Sequence, residues 1–158
     1  MEQYFGFALV ILGAAISSAL AGIGSAIGCG IVGEAGSGLA AEEPNKFGIA
    51  LLLQAVPGTQ GIYGFVGMFL ILAKLVGVEI TSITVSQGLA VACSALPIGL
   101  VGLVSAIFQG RVCVGGVSLV AKRPEDVGKA MVFAVVVETY AVLGLLTTIL
   151  LLGNIKLG

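Results

Sequence analysis

Four apolar stretches dominate the chain, and the polar segments between them are short. They run from about Tyr4 to Gly33, from about Phe47 to Val76, from about Val85 to Val112 and from about Gly128 to Leu152. Each exceeds the ~20 residues that a helix needs to cross a bilayer. Lipid offers backbone N–H and C=O groups no partner, so helices are the expected spanning structure. The pattern predicts an all-α integral membrane protein with four transmembrane helices.

The second half repeats the first at an offset of 80 residues, with about 20 identical positions and no gap. Ser25-Ala26-Ile27 matches Ser105-Ala106-Ile107, and Gly22, Gly30, Gly36 and Gly48 match Gly102, Gly110, Gly116 and Gly128. Two apolar helices resemble one another by composition alone. The polar connections also align, however: Ala41 and Pro44 fall on Ala121 and Pro124. An ancestral duplication of a helical hairpin explains both. Residues 1–80 then form one hairpin and residues 81–158 the other.

The spans are of two kinds. The first is crowded with small residues, among them Gly13, Ala14, Ser17, Ala21, Gly24, Ser25 and Gly28. Gly24 and Gly28 are spaced for close helix approach, as are Gly102 and Ala106 in the third span. Spans two and four carry bulky Leu, Phe, Ile and Val instead. The odd spans should pack tightly as an inner layer, and the even spans should face lipid.

One residue breaks the apolar rule. Glu138 lies in Val137-Glu138-Thr139-Tyr140, well inside span four, with no basic residue at matching depth to pair with it. A charge there costs ~2.5 kcal/mol or more. Such a carboxyl should be protonated or bind a cation. Span two offers company: Val56, Thr59, Gln60 and Tyr63 recur at helical spacing and share one face. Pro57 lacks an N–H, so the helix should bend there and free carbonyl oxygens such as that of Val56. Gln109, near the end of span three, can add an amide oxygen. Gln54 lies off this face and reads as helix packing. Carboxylate, amide, hydroxyl and carbonyl oxygens suit a hard cation. A single carboxylate suits a monovalent one, because the filled site is then neutral. The repeat sets Gly58 against Glu138 and Cys29 against Gln109. The chain thus keeps one ionisable site, drawn from both halves.

Composition and charge narrow the picture further. The 158 residues are 58% hydrophobic and 9% charged, with net charge −1. That excludes an ordinary soluble domain and suggests no nucleic-acid partner. Met1-Glu2-Gln3-Tyr4 lacks a basic start, so no cleavable signal is expected. Cys29, Cys93 and Cys113 match no metal spacing and read as small packing residues. There is no His, which removes the usual proton relay and zinc ligand. Lys46, Arg111, Lys122, Arg123 and Lys129 cluster at the connections 34–46 and 113–127, while Lys74 and Lys156 lie at the opposite end. Basic residues favour the cytoplasmic side, so both connections should be cytoplasmic and both termini outside. The charged connections could dock a soluble partner.

At these residues the chain resembles the proteolipid ring subunits of V-type ATPases, over nearly its whole length. Pro57-Gly58-Thr59-Gln60-Gly61-Ile62-Tyr63-Gly64-Phe65 looks like the second-helix motif of the sodium-translocating branch. Ser105-Ala106-Ile107-Phe108-Gln109-Gly110 and Val137-Glu138-Thr139-Tyr140-Ala141 resemble the third- and fourth-helix motifs, and Arg111 stands where a basic residue is usual. The resemblance implies a rotor ring of identical chains, turned by ATP hydrolysis in partner subunits. The ring subunit itself is not an enzyme. It also implies a stator membrane subunit with an essential Arg, and central-stalk subunits at the cytoplasmic loops. Glu138 would be the carboxylate ligand of Na+, Thr59, Gln60 and Gln109 side-chain ligands, and Val56 a carbonyl ligand. Tyr63 would hydrogen-bond Glu138 and hold it closed.

Three alternatives predict different sequences. A proton ring of the same family needs the carboxylate but generally lacks this polar surround. A small multidrug-type cation antiporter needs aromatic residues to hold lipophilic cations, and this chain has no Trp. A structural pore or scaffold would need neither Glu138 nor the Thr59/Gln60/Tyr63 face.

Overall fold

The computed structural model describes residues 4–158, and among them helices and short turns form the whole architecture. Helix α1 (Phe5–Glu42) and helix α4 (Val85–Lys122) are the long elements, 38 residues each. The second span is built from α2 (Phe47–Ala55) and α3 (Thr59–Ala73), and the fourth is α5 (Val127–Gly153). Four helical segments are long and apolar enough to cross a membrane: Phe5–Glu42, Pro44–Ala73, Val85–Lys122 and Pro124–Gly153. Corresponding segments start 80 residues apart, so the sequence repeat is a repeat of helical hairpins. The chain is a multi-pass integral membrane protein.

α1 and α4 outrun the apolar stretches that announce them. At about 1.5 Å per residue they are roughly 57 Å long, against about 30 Å of hydrocarbon. Most of 34–46 and 113–127 is therefore helix. The reason is local. No proline appears between the apolar stretches and Pro44 or Pro124, and the extensions are amphipathic. Gly36 and Leu39 are buried while Glu34, Ser37 and Glu42 are exposed. The true connections are a single residue each, Glu43 or Arg123, followed by a Pro-led 3₁₀ turn. Proline suits that first-turn position, since its missing N–H is not needed there.

Pro57 interrupts the second span. A 3₁₀ turn over Val56–Gly58 separates α2 from α3. Val137 replaces it in the fourth span, and α5 runs unbroken. Pro97 in α4 is absorbed differently. The helix continues, and the Ile98 amide donates to the Thr148 hydroxyl of α5 at 3.3 Å.

α1 packs most extensively against α4, while α3 leans on α1 and α5 on α4. Small residues permit the α1–α4 approach. A Cβ placed on Gly24 would fall 2.6 Å from the Leu103 Cα, and one on Gly110 2.7 Å from the Gly28 Cα. The bulky side chains of α3 and α5 point away, with Phe65, Phe69, Phe133 and Leu150 more than half exposed. They give α3 and α5 a broad exposed apolar face. Two apolar clusters pin the ends: one around Val32, Leu53, Val117 and Ala130, the other around Val10, Ile71, Val91 and Leu152. Near the second, Lys74 donates to the Ile155 carbonyl at 2.8 Å and Gln87 to that of Lys156 at 3.0 Å, tying down the C-terminal tail.

Gly110→Ala is expected to destabilise the chain by about 1–3 kcal/mol, because the extra methyl meets backbone that cannot retreat. Thermal unfolding in detergent would show it. Gly48→Ala, with nothing within 4 Å of the added atom, should leave the unfolding temperature nearly unchanged.

Candidate functional site

Between the two apolar clusters the interior turns polar. Gln60 of α3 and Gln109 of α4 are fully buried. Burying two amides in lipid is tolerable only if they find partners. They find each other: the Gln60 amide nitrogen donates to the Gln109 Oε1 at 2.6 Å. Gln109 in turn donates to the Ala134 carbonyl of α5 at 2.9 Å. Among the described residues no buried side-chain nitrogen or oxygen lacks a partner.

Pro57 shapes the other edge of this network. The 3₁₀ turn brings the Thr59 N–H onto the Val56 carbonyl. The Thr59 hydroxyl reaches the same carbonyl at 3.0 Å and stands 3.4 Å from the Gln60 Oε1. A hydroxyl has one proton, and the shorter contact takes it. The Val56 carbonyl is thus occupied rather than left free by the kink. One turn further, the Gly61 N–H donates to the Ser25 hydroxyl of α1 at 2.7 Å. Ser17 donates to the Gly64 carbonyl at 2.8 Å. These two serines fasten α3 to α1 where the proline has loosened the helix ladder.

The carboxylate has its own partner. The Tyr63 hydroxyl donates to the Glu138 Oε1 at 2.6 Å. Among the described residues Tyr63 alone hydrogen-bonds Glu138, and every ion pair lies at the polar connections: Lys46–Glu43, Arg123–Asp126 and Lys129–Asp126. Among the described residues no basic side chain pairs with Glu138.

The structure thus sorts the sequence-predicted residues into two linked groups. Val56, Thr59, Gln60 and Gln109 form one contiguous polar cluster, and Tyr63 with Glu138 forms a pair. The groups meet through helix geometry. Tyr63 is one turn beyond Thr59 on α3, and Glu138 is one turn beyond Ala134, which Gln109 grips. Chemically, the cluster presents two hydroxyls, two amide oxygens, a carbonyl and a carboxylate. Each amide oxygen keeps a second lone pair. Such a set can hold a hard cation once its protons turn aside.

Sequence reasoning did not single out the Ala134 carbonyl, Ser17, Ser25 or Thr148. Backbone carbonyls leave no trace in a sequence. The signal for the serines was there: a hydroxyl on a glycine-rich helix, one turn from a proline on its neighbour.

A family model for the ATP synthase C subunit matches residues 12–71 and again residues 92–151. The chain belongs to the ATP synthase C-subunit family. The two matches fall one on each hairpin, so this member of the family is a fused double copy. It is 45% identical over 154 residues to the V-type sodium ATPase subunit K of Enterococcus hirae, covering 98% of this chain and 96% of that protein. It is 46% identical over 147 residues to the A-type ATP synthase subunit K of Methanocaldococcus jannaschii, covering 93% of this chain and 63% of that one.

Removing Gln109 should strand the Gln60 amide. Gln109→Leu is expected to cost about 1–3 kcal/mol in stability. Replacing both amides by Leu should cost less than the two single changes summed, because no polar group is then left unpaired. A double-mutant cycle of thermal unfolding in detergent measures both.

Proposed function

We propose that this chain is the membrane rotor-ring subunit of a rotary V-type ATPase and carries one Na+ per copy at Glu138. The observation that carries the reading is the Tyr63–Glu138 hydrogen bond in a lipid-facing helix, without a basic partner and beside a buried network of oxygen donors. Membership of the ATP synthase C-subunit family supports it, as does likeness to a relative whose name specifies sodium.

The physics of the site fits that work. A bare carboxylate at this depth is costly, and a monovalent cation cancels its charge. Glu138 supplies the charge, and Thr59, Gln60 and Gln109 supply side-chain oxygens. Val56 supplies its carbonyl. On loading, the Thr59 hydroxyl swings its proton away from Val56, which opens both oxygens to the ion. Tyr63 holds Glu138 against α3, so the filled, neutral site can pass lipid. A stator subunit with an essential Arg would draw Glu138 out and release the ion. ATP hydrolysis belongs to partner subunits, so this chain is not itself an enzyme. The protruding ends of α1 and α4, with their charged connections, would face the cytoplasm and meet the central-stalk subunits. Both termini would lie outside.

Binding of radioactive Na+ to the purified protein tests this. Glu138→Gln should abolish binding while assembly survives. Thr59→Ala or Gln60→Ala should each weaken affinity roughly tenfold, the equivalent of about 1.4 kcal/mol. Unchanged affinity in both would remove these residues from the ligand set. A carboxylate that titrates normally but ignores Na+ would make the chain a proton carrier.

A further inference from the structure

Two lysines stand at the end opposite the polar connections, and among the described residues neither has an acidic partner. Lys74 closes α3, and Lys156 lies in the C-terminal tail. The ion pairs all lie at the other end. Glu79, the one described acidic residue at this end, accepts from the Thr81 hydroxyl at 2.7 Å instead. The Lys74 ammonium donates to the Ile155 carbonyl at 2.8 Å. That uses one of its three N–H groups, and the others are left for a further acceptor.

Beside Lys74 a groove of 330 Å³ opens between α3 and α5. Leu70, Ala73, Ile149, Leu152 and Gly153 line it with Lys74. Its walls are apolar apart from the ammonium, and a Cβ on Gly153 would meet nothing within 4 Å. The two helices that flank it carry the exposed Phe69 and Leu150. Depth fits a membrane boundary. Lys74 lies eleven residues beyond Tyr63, which holds Glu138 near the middle of α5. At about 1.5 Å per residue that is roughly 16 Å, close to half of the ~30 Å hydrocarbon layer. The ammonium stands where hydrocarbon gives way to headgroups, and the groove runs from it toward the hydrocarbon.

We propose that this groove holds an acyl chain of an anionic phospholipid, with the Lys74 ammonium on its phosphate. The apolar walls match a run of methylene groups, which gain nothing from polar contacts. The uncompensated ammonium selects the headgroup. A zwitterionic lipid brings its own cation to the phosphate, whereas an anionic one leaves the phosphate to Lys74. A lysine near a membrane surface attracts anionic lipid in this way. Lys156, exposed in the adjoining tail, adds to the positive field. The bound lipid touches both α3 and α5, the helices that Tyr63 and Glu138 join deeper in the membrane, and so clips their outer ends together. The inference needs only that the chain spans a membrane, and it stands apart from the sodium reading.

Contact quenching of a tryptophan tests this. The chain has no Trp, so Phe69→Trp, one turn before Ala73 on the exposed face of α3, gives one reporter per copy. The reporter protein is placed in phosphatidylcholine vesicles with rising fractions of phosphatidylglycerol or phosphatidylcholine brominated on the acyl chains. Phosphatidylglycerol should be preferred roughly fivefold. Lys74→Gln, which removes the charge and keeps a donor, should abolish the preference, and Lys74→Arg should keep it. Gly153→Leu, which fills the groove mouth without meeting protein, should weaken the preference with Lys74 intact. It also keeps the test decisive if Lys74→Gln fails to fold. Equal quenching by both lipids in the reporter protein would overturn the proposal. A preference that survives Lys74→Gln would place the site elsewhere, and one indifferent to Gly153→Leu would leave headgroup attraction without a held chain. Displacement of the brominated lipid by free glycerol phosphate would make this a phosphate site and not a lipid site.

Discussion

The hydrogen bond from Tyr63 to Glu138 joins a residue of the first hairpin to a residue of the second, across the lipid-facing layer. The bond is 2.6 Å long and ties α3 to α5 at the depth of Glu138. The Gln60–Gln109 bond, equally short, does the same one layer inward, between α3 and α4. Neither hairpin holds a complete set of these groups. The duplication left Gly58 and Cys29 where the second copy has Glu138 and Gln109, and the remaining polar residues serve a single locus.

That locus needs a stiff frame. The proposed cation site would tolerate errors of only a fraction of an ångström, and a helix broken at Pro57 would not meet that unaided. The frame comes from α1. Its glycines let α4 close to backbone contact, and Ser17 and Ser25 clamp α3 beyond the break. The inner layer therefore contributes geometry, and the outer layer contributes chemistry.

Much of the fold was legible because lipid leaves few options: long apolar stretches must be helices, and the repeat and the prolines mark the hairpins. Helix ends were less legible. Hydropathy reports where lipid ends, whereas helices end at breakers, so α1 and α4 continue through Glu34–Glu42 and Val114–Lys122 as amphipathic extensions. Within the site, helical spacing put Thr59, Gln60 and Tyr63 on one face, and the isolation of Glu138 made it stand out. Pairwise geometry was not legible. Nothing in the spacing says that Gln60 turns to Gln109, or that Gln109 reaches the Ala134 carbonyl. Pro57 signalled a bend, but the 3₁₀ turn that results occupies the Val56 carbonyl with Thr59 instead of freeing it. Pro97, with the same chemistry, left α4 continuous, and the Ile98 amide beside it donates to Thr148.

The central claim is that Glu138 exchanges one charge partner for another, Na+ for a proton, inside an apolar shell. Carbodiimide labelling of the purified protein across pH, with and without Na+, tests it most directly, because the reagent attacks a protonated carboxyl in apolar surroundings. The account predicts that Glu138 is the labelled residue and that millimolar Na+ suppresses the reaction at constant pH. Labelling that falls with rising pH but ignores Na+ would contradict the sodium assignment. Absence of labelling at Glu138 under every condition would contradict the carrier role itself.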